Sequence, residues 1–219
     1  MKRLIISFFL IIFIGLFFFL LYNQNKIKEY EKSERVPIML PSGIDYLCNY
    51  IKNNGIKRVL EIGSAIGYSA IRMALVDDEV MITTIEKDEQ RYKMAVKNIS
   101  LFGLDERIKI INGDALESLI DGKFDLLFID ASKGNNINFF NKYKDNLVEN
   151  GVIITDNLLF HGLVENESLA VTRNQRGLVK KIKNFKEFLD NNQEFVTEYV
   201  RVGDGISISR RRMVNEDNC

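Results

Sequence analysis

The chain has 219 residues, which is enough for one sizeable α/β domain and a short additional segment. Thirty basic residues balance thirty acidic ones, so the composition excludes a general electrostatic affinity for nucleic acid or membranes. Any charged partner must therefore bind a local patch of charged residues. The only cysteines are Cys48 and Cys219, and His161 is the single histidine, so neither a disulfide framework nor a zinc site is expected.

The N-terminal segment is strongly apolar. Residues 4–21 are all apolar side chains except Ser7 and Gly15, and a helix of that length just crosses a bilayer core. No small-residue cleavage site follows. We predict an uncleaved anchor within residues 1–25 and one folded domain over 26–219; a buried helix or a wrongly assigned start site is the alternative. The basic residues at 26, 28, 32 and 35 favour a cytoplasmic location of this domain, on the inner membrane face.

From Val36 onward, apolar strands alternate with helical stretches. We predict strands at 58–62, 80–85, 108–111, 124–129 and 151–155, and helices at 69–76, 88–102, just after Asp114, 137–148 and 175–191. Two further β runs, 195–202 and 205–209, are joined too tightly for a helical crossover and should pair antiparallel. This order predicts an α/β fold with a mostly parallel, doubly wound sheet that binds ligands at the carboxyl ends of its strands.

A glycine-containing turn follows the first strand. After Glu61, the glycines Gly63 and Gly67 form G-x-x-x-G, which differs from the G-x-G-x-x-G of pyrophosphate-binding loops. Glu86 ends the second strand, where a carboxylate can accept both ribose hydroxyls. A structural turn and a solvated glutamate are the alternatives. Together these features favour a nucleoside cofactor without a pyrophosphate, most commonly S-adenosylmethionine. Asp114, after the third strand, either accepts from an adenine amino group or caps a helix.

Oxygen-bearing side chains follow the fourth and fifth strands. Asp130 ends one strand, and Asp156 and Asn157 end the next, so neighbouring parallel strands would bring all three to one rim. Two carboxylates and an amide, without His or Cys, suit Mg²⁺. Lys133 lies three residues beyond Asp130 and is a candidate general base, although most lysines are simply surface residues.

Positive charge is concentrated near the C-terminal end. Six basic residues and no acidic one lie between positions 173 and 186, namely Arg173, Arg176, Lys180, Lys181, Lys183 and Lys186. Residues 210–212 add three arginines. Such a density is typical of phosphate contacts, but a solvated helix face or a contact with anionic lipid would also explain it.

Several motifs together resemble the cation-dependent O-methyltransferase family, which includes catechol and caffeoyl-CoA methyltransferases. The resemblance covers roughly residues 28–212 and rests on VPIM (36–39), EIGSAIGYSAIRMA (61–74), TIEKD (84–88), GDAL (113–116), FIDASKG (128–134), GVIITDN (151–157) and VGDGISIS (202–209). Within the family, the likeness is greatest to the bacterial branch that methylates 5-hydroxyuridine at the tRNA wobble position to give 5-methoxyuridine.

The resemblance implies a Rossmann-like class I methyltransferase fold whose sheet carries an antiparallel C-terminal strand. The apolar run at residues 4–21 adds the prediction of one hydrophobic N-terminal helix in front of this fold. Its cofactors would be S-adenosylmethionine and Mg²⁺. The implied cofactor-binding residues are Met39, Glu61, Gly63, Ser69, Glu86, Asp114, Ala115 and Asp130. Asp130, Asp156 and Asn157 would hold the metal, and Lys133 would be the catalytic base.

The apolar N-terminus departs from the family, whose members usually begin with soluble helices that help to cover the active site. The resemblance implies tRNA and a second copy in a homodimer as partners, and the apolar run predicts a membrane tether through residues 4–21. Two alternatives stay open. One is a small-molecule O-methyltransferase acting on a catechol-like metabolite, and the other is a membrane-anchored binding module without turnover.

Overall fold

The computed structural model describes residues 38–212, together with Asn25. Its α-helices are α1 (Pro41–Asn53), α2 (Tyr68–Ala74), α3 (Glu89–Leu101), α4 (Asn136–Tyr143) and α5 (Arg173–Asp190). Its strands are β1 (Arg58–Ile62), β2 (Met81–Glu86), β3 (Ile108–Asn112), β4 (Phe124–Ile129), β5 (Leu147–Thr155), β6 (Phe195–Val200) and β7 (Ile206–Arg211). Two short 3-10 helices span Lys144–Asn146 and Glu167–Leu169.

All the strands form one seven-stranded sheet in the order β3-β2-β1-β4-β5-β7-β6. The first five strands pair in parallel, whereas β7 runs antiparallel to both β5 and β6. The chain order reverses direction across the sheet between β1 and β4. This is the switch point at which open α/β sheets bind ligands.

Helices cover both faces of the sheet because the central strands are apolar on both sides. Along β4, Leu126 and Phe128 join the core beneath α1, α2 and α3, and Leu127 and Ile129 join the core beneath α4 and α5. Successive strand residues point to opposite faces, so a strand buried on both sides must be apolar throughout. The doubly wound arrangement follows directly from this pattern.

The predicted α/β fold, with its mostly parallel sheet and antiparallel C-terminal strand, is confirmed. The final hairpin also pairs as expected. The helix predicted just after Asp114 is wrong, because the Asp114 carboxylate accepts the Leu116 N–H and holds residues 115–117 in a turn. The helix predicted to reach Val148 ends at Tyr143, where a 3-10 turn leads into β5. Helix α1, which opens at Pro41, was not predicted.

Within the described residues, no helix has both the length and the hydrophobicity to cross a membrane. The predicted anchor at residues 4–21 lies outside them and stays a prediction.

Candidate active site

The strand register brings the acidic residues together at the carboxyl end of the sheet. Ile129 of β4 pairs with Ile62 of β1 on one side and with Thr155 of β5 on the other. Asp130 and Asp156 are the next residues after two of these partners. They therefore emerge side by side, as the sequence predicted.

Asn157 connects the two carboxylates. Its side-chain amide donates to Asp156 Oδ2 at 2.5 Å and to Asp130 Oδ1 at 3.3 Å. Its backbone has a φ of +67°, a left-handed conformation that asparagine tolerates better than most residues. The second Asp156 oxygen, Oδ1, is buried and has no hydrogen-bond partner among the described residues. A buried carboxylate oxygen without a partner is costly, and a cation would satisfy it.

Burial makes this site electrostatically unusual. Burial and, second, the charge of the neighbouring Asp130 together raise the pKa of Asp156 from 3.8 to about 7. Burial also raises the pKa of Asp130, against the attraction of Lys133. Two adjacent buried carboxylates repel each other unless a positive charge lies between them. A divalent cation fits this donor set. In the part of the chain that is described, no group of three His, Cys, Asp or Glu side chains forms a metal site, so the amide of Asn157 would be needed.

Lys133 lies at the same rim. Its Nζ is 3.4 Å from Asp130 Oδ1, and its side chain is only 15% exposed. The residue sits in the loop between β4 and α4, so its amine reaches the rim from the side of α4. A partly buried amine held beside a carboxylate is well placed to exchange a proton with a bound ligand.

A further carboxylate, Asp204, was not assigned from the sequence. It lies in the β6–β7 loop, is 6% exposed, and its charge adds to the rise in the pKa of both Asp130 and Asp156. Oδ1 accepts the His161 N–H at 2.6 Å, and the buried Oδ2 has no hydrogen-bond partner in the described structure, although His161 Nδ1 lies 3.8 Å from it. The signal in the sequence was the V-G-D-G motif, where both glycines, Gly203 and Gly205, have positive φ.

The glycine-containing turn lies next to this cluster. Gly63 has a φ of +98°, and a Cβ there would fall 2.5 Å from the Asp130 carbonyl oxygen. Only glycine allows the turn to approach the end of β4 so closely. Beside it, the Ser64 hydroxyl is buried without a partner among residues 38–212. The glycine-containing turn therefore lies directly against the acidic residues at the end of β4.

Glu86 closes the far side of this turn. Its carboxylate accepts the N–H groups of Ala65 and Asp88, each at 2.8 Å. Ala65 itself has a φ of +47°, so the glutamate stabilises an uncommon backbone conformation. The predicted ribose-binding residue is thus also a support for the loop.

Glu61 is completely buried, and both its oxygens are engaged. Ser69 Oγ and Thr84 Oγ1 each donate to it at 2.5 Å, and burial raises its pKa to about 7. These bonds hold the first turn of α2 against β1 and β2. The predicted contacts of Glu61 and Ser69 with a cofactor stay predictions.

The remaining predicted cofactor residues differ in their surroundings. Asp114 pairs with Lys87 Nζ at 2.6 Å, which holds the pKa of the carboxyl below its usual range. Ala115 is buried, and its carbonyl accepts from the Tyr143 hydroxyl at 2.6 Å. Met39 is buried on the opposite side and packs near Gly43 of α1. Asp114 and Ala115 extend the rim beyond Glu86.

The basic segment forms the solvent-facing side of α5. A capping box between Thr172 and Gln175 begins this helix, and Val179, Ile182, Phe185 and Leu189 bury its opposite side. Lys181 reaches the loop between β4 and α4, where its Nζ lies 2.9 Å from the position that a Cβ on Gly134 would occupy. One part of the basic helix therefore borders the candidate active site.

A parallel sheet with an antiparallel β7, a G-x-x-x-G turn at the switch point and an acidic rim together define a Rossmann-like methyltransferase. Residues 25–212 match the family model described as O-methyltransferase. The chain belongs to this O-methyltransferase family, as the sequence predicted.

Individual relatives agree with this assignment. The caffeoyl-CoA O-methyltransferase of Stellaria longipes is 30% identical over 71% of this chain and 68% of its own. A crystal structure from Staphylococcus aureus, provisionally assigned as a caffeoyl-CoA O-methyltransferase, is 34% identical, with a TM-score of 0.82 over 86% of this chain and 92% of its own. The SAH-bound O-methyltransferase of Bacillus cereus shares the fold at 24% identity, with a TM-score of 0.75 over 87% and 91% of the two chains.

Proposed function

We propose that this O-methyltransferase uses S-adenosylmethionine and Mg²⁺ to methylate 5-hydroxyuridine at position 34 of the tRNA anticodon, giving 5-methoxyuridine. The observation that carries the chemistry is the unpartnered Asp156 Oδ1, buried beside Asp130 and Asn157. A site for a hard cation at the strand ends, next to a turn suited to a nucleoside, is what metal-assisted methyl transfer requires.

The methyl donor would occupy the space along the glycine-containing turn. Glu86 would accept the ribose hydroxyls, and Asp114 would accept from the adenine amino group. The buried Ser64 hydroxyl, which has no partner among the described residues, supports a polar ligand in this turn. The close approach of Gly63 to the Asp130 carbonyl supports a short distance between donor and acceptor.

Asp130, Asp156 and Asn157 would hold Mg²⁺. When bound, the cation would lower the pKa of an acceptor hydroxyl and orient two adjacent acceptor oxygens. The raised pKa of both carboxyls supports this role, because their negative charge is poorly compensated by the protein alone.

Lys133 would act as the base. Its Nζ would take the hydroxyl proton, and the acceptor oxygen would bond to the methyl carbon of the donor as the carbon–sulfur bond broke and its electrons passed to sulfur. The neighbouring Asp130, 3.4 Å away, would stabilise the resulting ammonium group. In-line attack depends on both reactants being held in position by the two adjoining sites.

The choice of tRNA is supported by charge. The basic residues of α5 form one side of this helix, and one of them, Lys181, approaches Gly134 in the loop that carries Lys133. In a chain whose total charge is balanced, this local excess suits a phosphate-bearing acceptor. A 5-hydroxyuridine offers its hydroxyl beside a carbonyl oxygen, which matches the two-oxygen requirement of the metal site.

A small catechol-like acceptor is the second candidate function. The observation that favours it is the similarity to a caffeoyl-CoA O-methyltransferase over most of the chain. The reacting groups would be the same, because a catechol also presents two adjacent oxygens. The third alternative, a binding module without turnover, is disfavoured by the complete set of Asp130, Lys133, Asp156 and Asn157.

The deciding experiment combines the full-length protein, Mg²⁺, labelled S-adenosylmethionine and tRNA carrying 5-hydroxyuridine. Nucleoside mass spectrometry would detect 5-methoxyuridine, and a chelator arm would test metal dependence. Metal-dependent product supports the proposal. Transfer to a simple catechol but not to tRNA would move the function to small molecules, and donor binding without transfer to either acceptor would favour the non-catalytic module.

We further propose that the catalytic domain lies in the cytoplasm, tethered to the inner membrane face by residues 4–21, because S-adenosylmethionine is a cytosolic metabolite. Protease treatment of spheroplasts tests this location. The domain should be protected until the membrane is opened, and cleavage in intact spheroplasts would contradict it.

A further inference from the structure

One face of α5 carries two basic residues separated by a glycine. Arg173, Gly177 and Lys181 are spaced four residues apart, so their side-chain positions align along the helix. Together with Asn174 and Leu178 they line a surface hollow of about 450 Å³. We call Arg173, Gly177 and Lys181 the α5 stripe.

Gly177 has no evident structural reason to be a glycine. It lies inside a helix of 18 residues, its φ is not positive, and a Cβ built there meets nothing within 4 Å. Glycine in a helix interior is less favourable than alanine, because it restricts the unfolded chain less. Because Gly177 has no side chain, the helix surface between the two basic residues stays uncovered.

The two cations of the stripe are available to a ligand. Within residues 38–212, neither Arg173 nor Lys181 takes part in a salt bridge or a side-chain hydrogen bond. Two other basic residues of α5 are engaged: Lys183 pairs with Glu167, and Arg176 donates to the carbonyl oxygens of Ala170 and Val171. Lys180 has no such contact among the described residues either, but it does not line the hollow that Arg173 and Lys181 share.

One end of the α5 stripe lies next to the loop between β4 and α4, which carries Lys133. Lys181, at its C-terminal end, lies against Gly134, the residue after the proposed base Lys133. Arg173, at its other end, lies eight residues earlier, about 12 Å away along the helix axis. A bound group could thus reach from the far end of the stripe to the edge of the active site.

We propose that the α5 stripe is a phosphate subsite, in which Arg173 and Lys181 each bind one phosphate and the backbone of the acceptor lies over Gly177. The inference rests on the proposed function, since it assigns the part of the acceptor that does not react. Phosphates occur both in a polynucleotide and in a small nucleotide conjugate. The distance between the cations favours the sugar–phosphate backbone of a polynucleotide.

The test measures binding without turnover. An anticodon stem-loop RNA and, separately, ADP are titrated into the full-length protein at several salt concentrations. Reversing both charges, with Arg173→Glu and Lys181→Glu, should weaken RNA binding at least tenfold and reduce the slope of log K against log salt by about 1.4, or about 0.7 for each lost single-strand contact. Lys97→Glu on α3 is the control for a charge reversal elsewhere, because Lys97 is also exposed and lies on another helix.

The variant Gly177→Ala tests whether this glycine serves RNA binding or the stability of the fold. Alanine should raise the melting temperature while weakening RNA binding several-fold, a combination that a merely structural glycine would not produce. Equal affinity and equal salt slope for the charge-reversed protein and the Lys97→Glu control would overturn the subsite. ADP binding with the same dependence on Arg173 and Lys181, but no RNA binding, would keep the subsite and assign it to a small nucleotide conjugate.

The outcome is independent of the methylation assay. If tRNA is methylated and the stripe variants bind RNA normally, the subsite is wrong and the proposed function stands. If no acceptor is methylated but the stripe variants lose RNA binding, the subsite stands and the proposed function is wrong.

Discussion

The Asp204 carboxylate accepts the backbone N–H of His161 at 2.6 Å, and this bond joins the β6–β7 loop to the segment that follows Asp156 and Asn157. Two backbone bonds reinforce it, from Leu159 N to Asp204 O at 2.8 Å and from Leu158 N to Gly205 O at 3.0 Å. His161 has a φ of +54°, an uncommon conformation that these contacts hold in place. The final hairpin thereby shapes the wall of the candidate active site.

Asp204→Ala should therefore lower both stability and turnover. The substitution leaves the His161 N–H without its acceptor, and losing a buried hydrogen bond to a charged group costs about 1.5–3 kcal/mol. We expect turnover to fall about tenfold, because the segment after Asn157 loses its anchor. Thermal unfolding and steady-state methylation would measure the two effects. Asp105→Ala, at an exposed carboxylate after α3, is the control, and equal results for the two variants would refute the role of Asp204.

Asp156→Ala should abolish turnover while leaving S-adenosylmethionine binding nearly intact. Asp156 contacts Asn157 and lies beside Asp130, where we propose that the cation binds, whereas Glu86 and Gly63 belong to the proposed donor site. Calorimetric titration of the donor and a methylation assay at several Mg²⁺ concentrations would separate the two properties. Asp121→Ala, at an exposed position, should retain both. Metal-independent turnover by Asp156→Ala would contradict the assignment.

Cation binding should depend on pH around neutrality. Burial, and then the charge of Asp130, raise the pKa of Asp156 from 3.8 to about 7. Below that pH the carboxyl is protonated, so a cation must displace the proton, and its affinity should weaken by about tenfold for each unit of pH. Mg²⁺ titrations at pH 6 and pH 8 would measure the change. Equal affinities at both values would show that Asp156 is not a ligand.

Gly63→Ala should be far more damaging than Gly55→Ala, although both glycines have positive φ. A methyl group at position 63 would lie 2.5 Å from the Asp130 carbonyl oxygen, whereas at position 55 it meets nothing within 4 Å. We expect Gly55→Ala to cost about 1–2 kcal/mol from backbone strain alone. Gly63→Ala should add about 1–3 kcal/mol of overpacking and displace the turn, with loss of donor binding. Chemical denaturation and donor titration would compare them, and similar results would refute the steric argument.

Much of the fold was predictable because its strands are apolar on both faces. The stretch from Phe124 to Ile129 is almost continuously hydrophobic, and the structure places β4 in the middle of the sheet. The helix predicted at 88–102 agrees with α3 to within one residue at each end, and Asp88 caps it by accepting the Arg91 N–H. The end of α4 was not predictable from local pattern. No glycine or proline lies between Tyr143, where the helix ends, and Leu147, where β5 begins.

The candidate site was predictable where it depends on strand ends and not where it depends on tertiary contacts. Asp130 and Asp156 meet because parallel strands end at one edge, a property of the chain order. Asp204 reaches the same edge only because β7 inserts beside β5, and spacing along the chain does not reveal that. Likewise, the engagement of Glu61 by Ser69 and Thr84 depends on side chains from three different elements.

The position of β7 has a consequence for how the protein is made. This strand is synthesised after β6 but lies between β5 and β6, so β5 has no partner on that side until residues 206–211 have left the ribosome. The parallel half of the sheet can assemble earlier, since domains fold progressively during synthesis. The loop that carries Asp204 arrives together with β7. The active-site wall is therefore completed at the final stage of folding, and truncated chains would retain much of the sheet without a finished site.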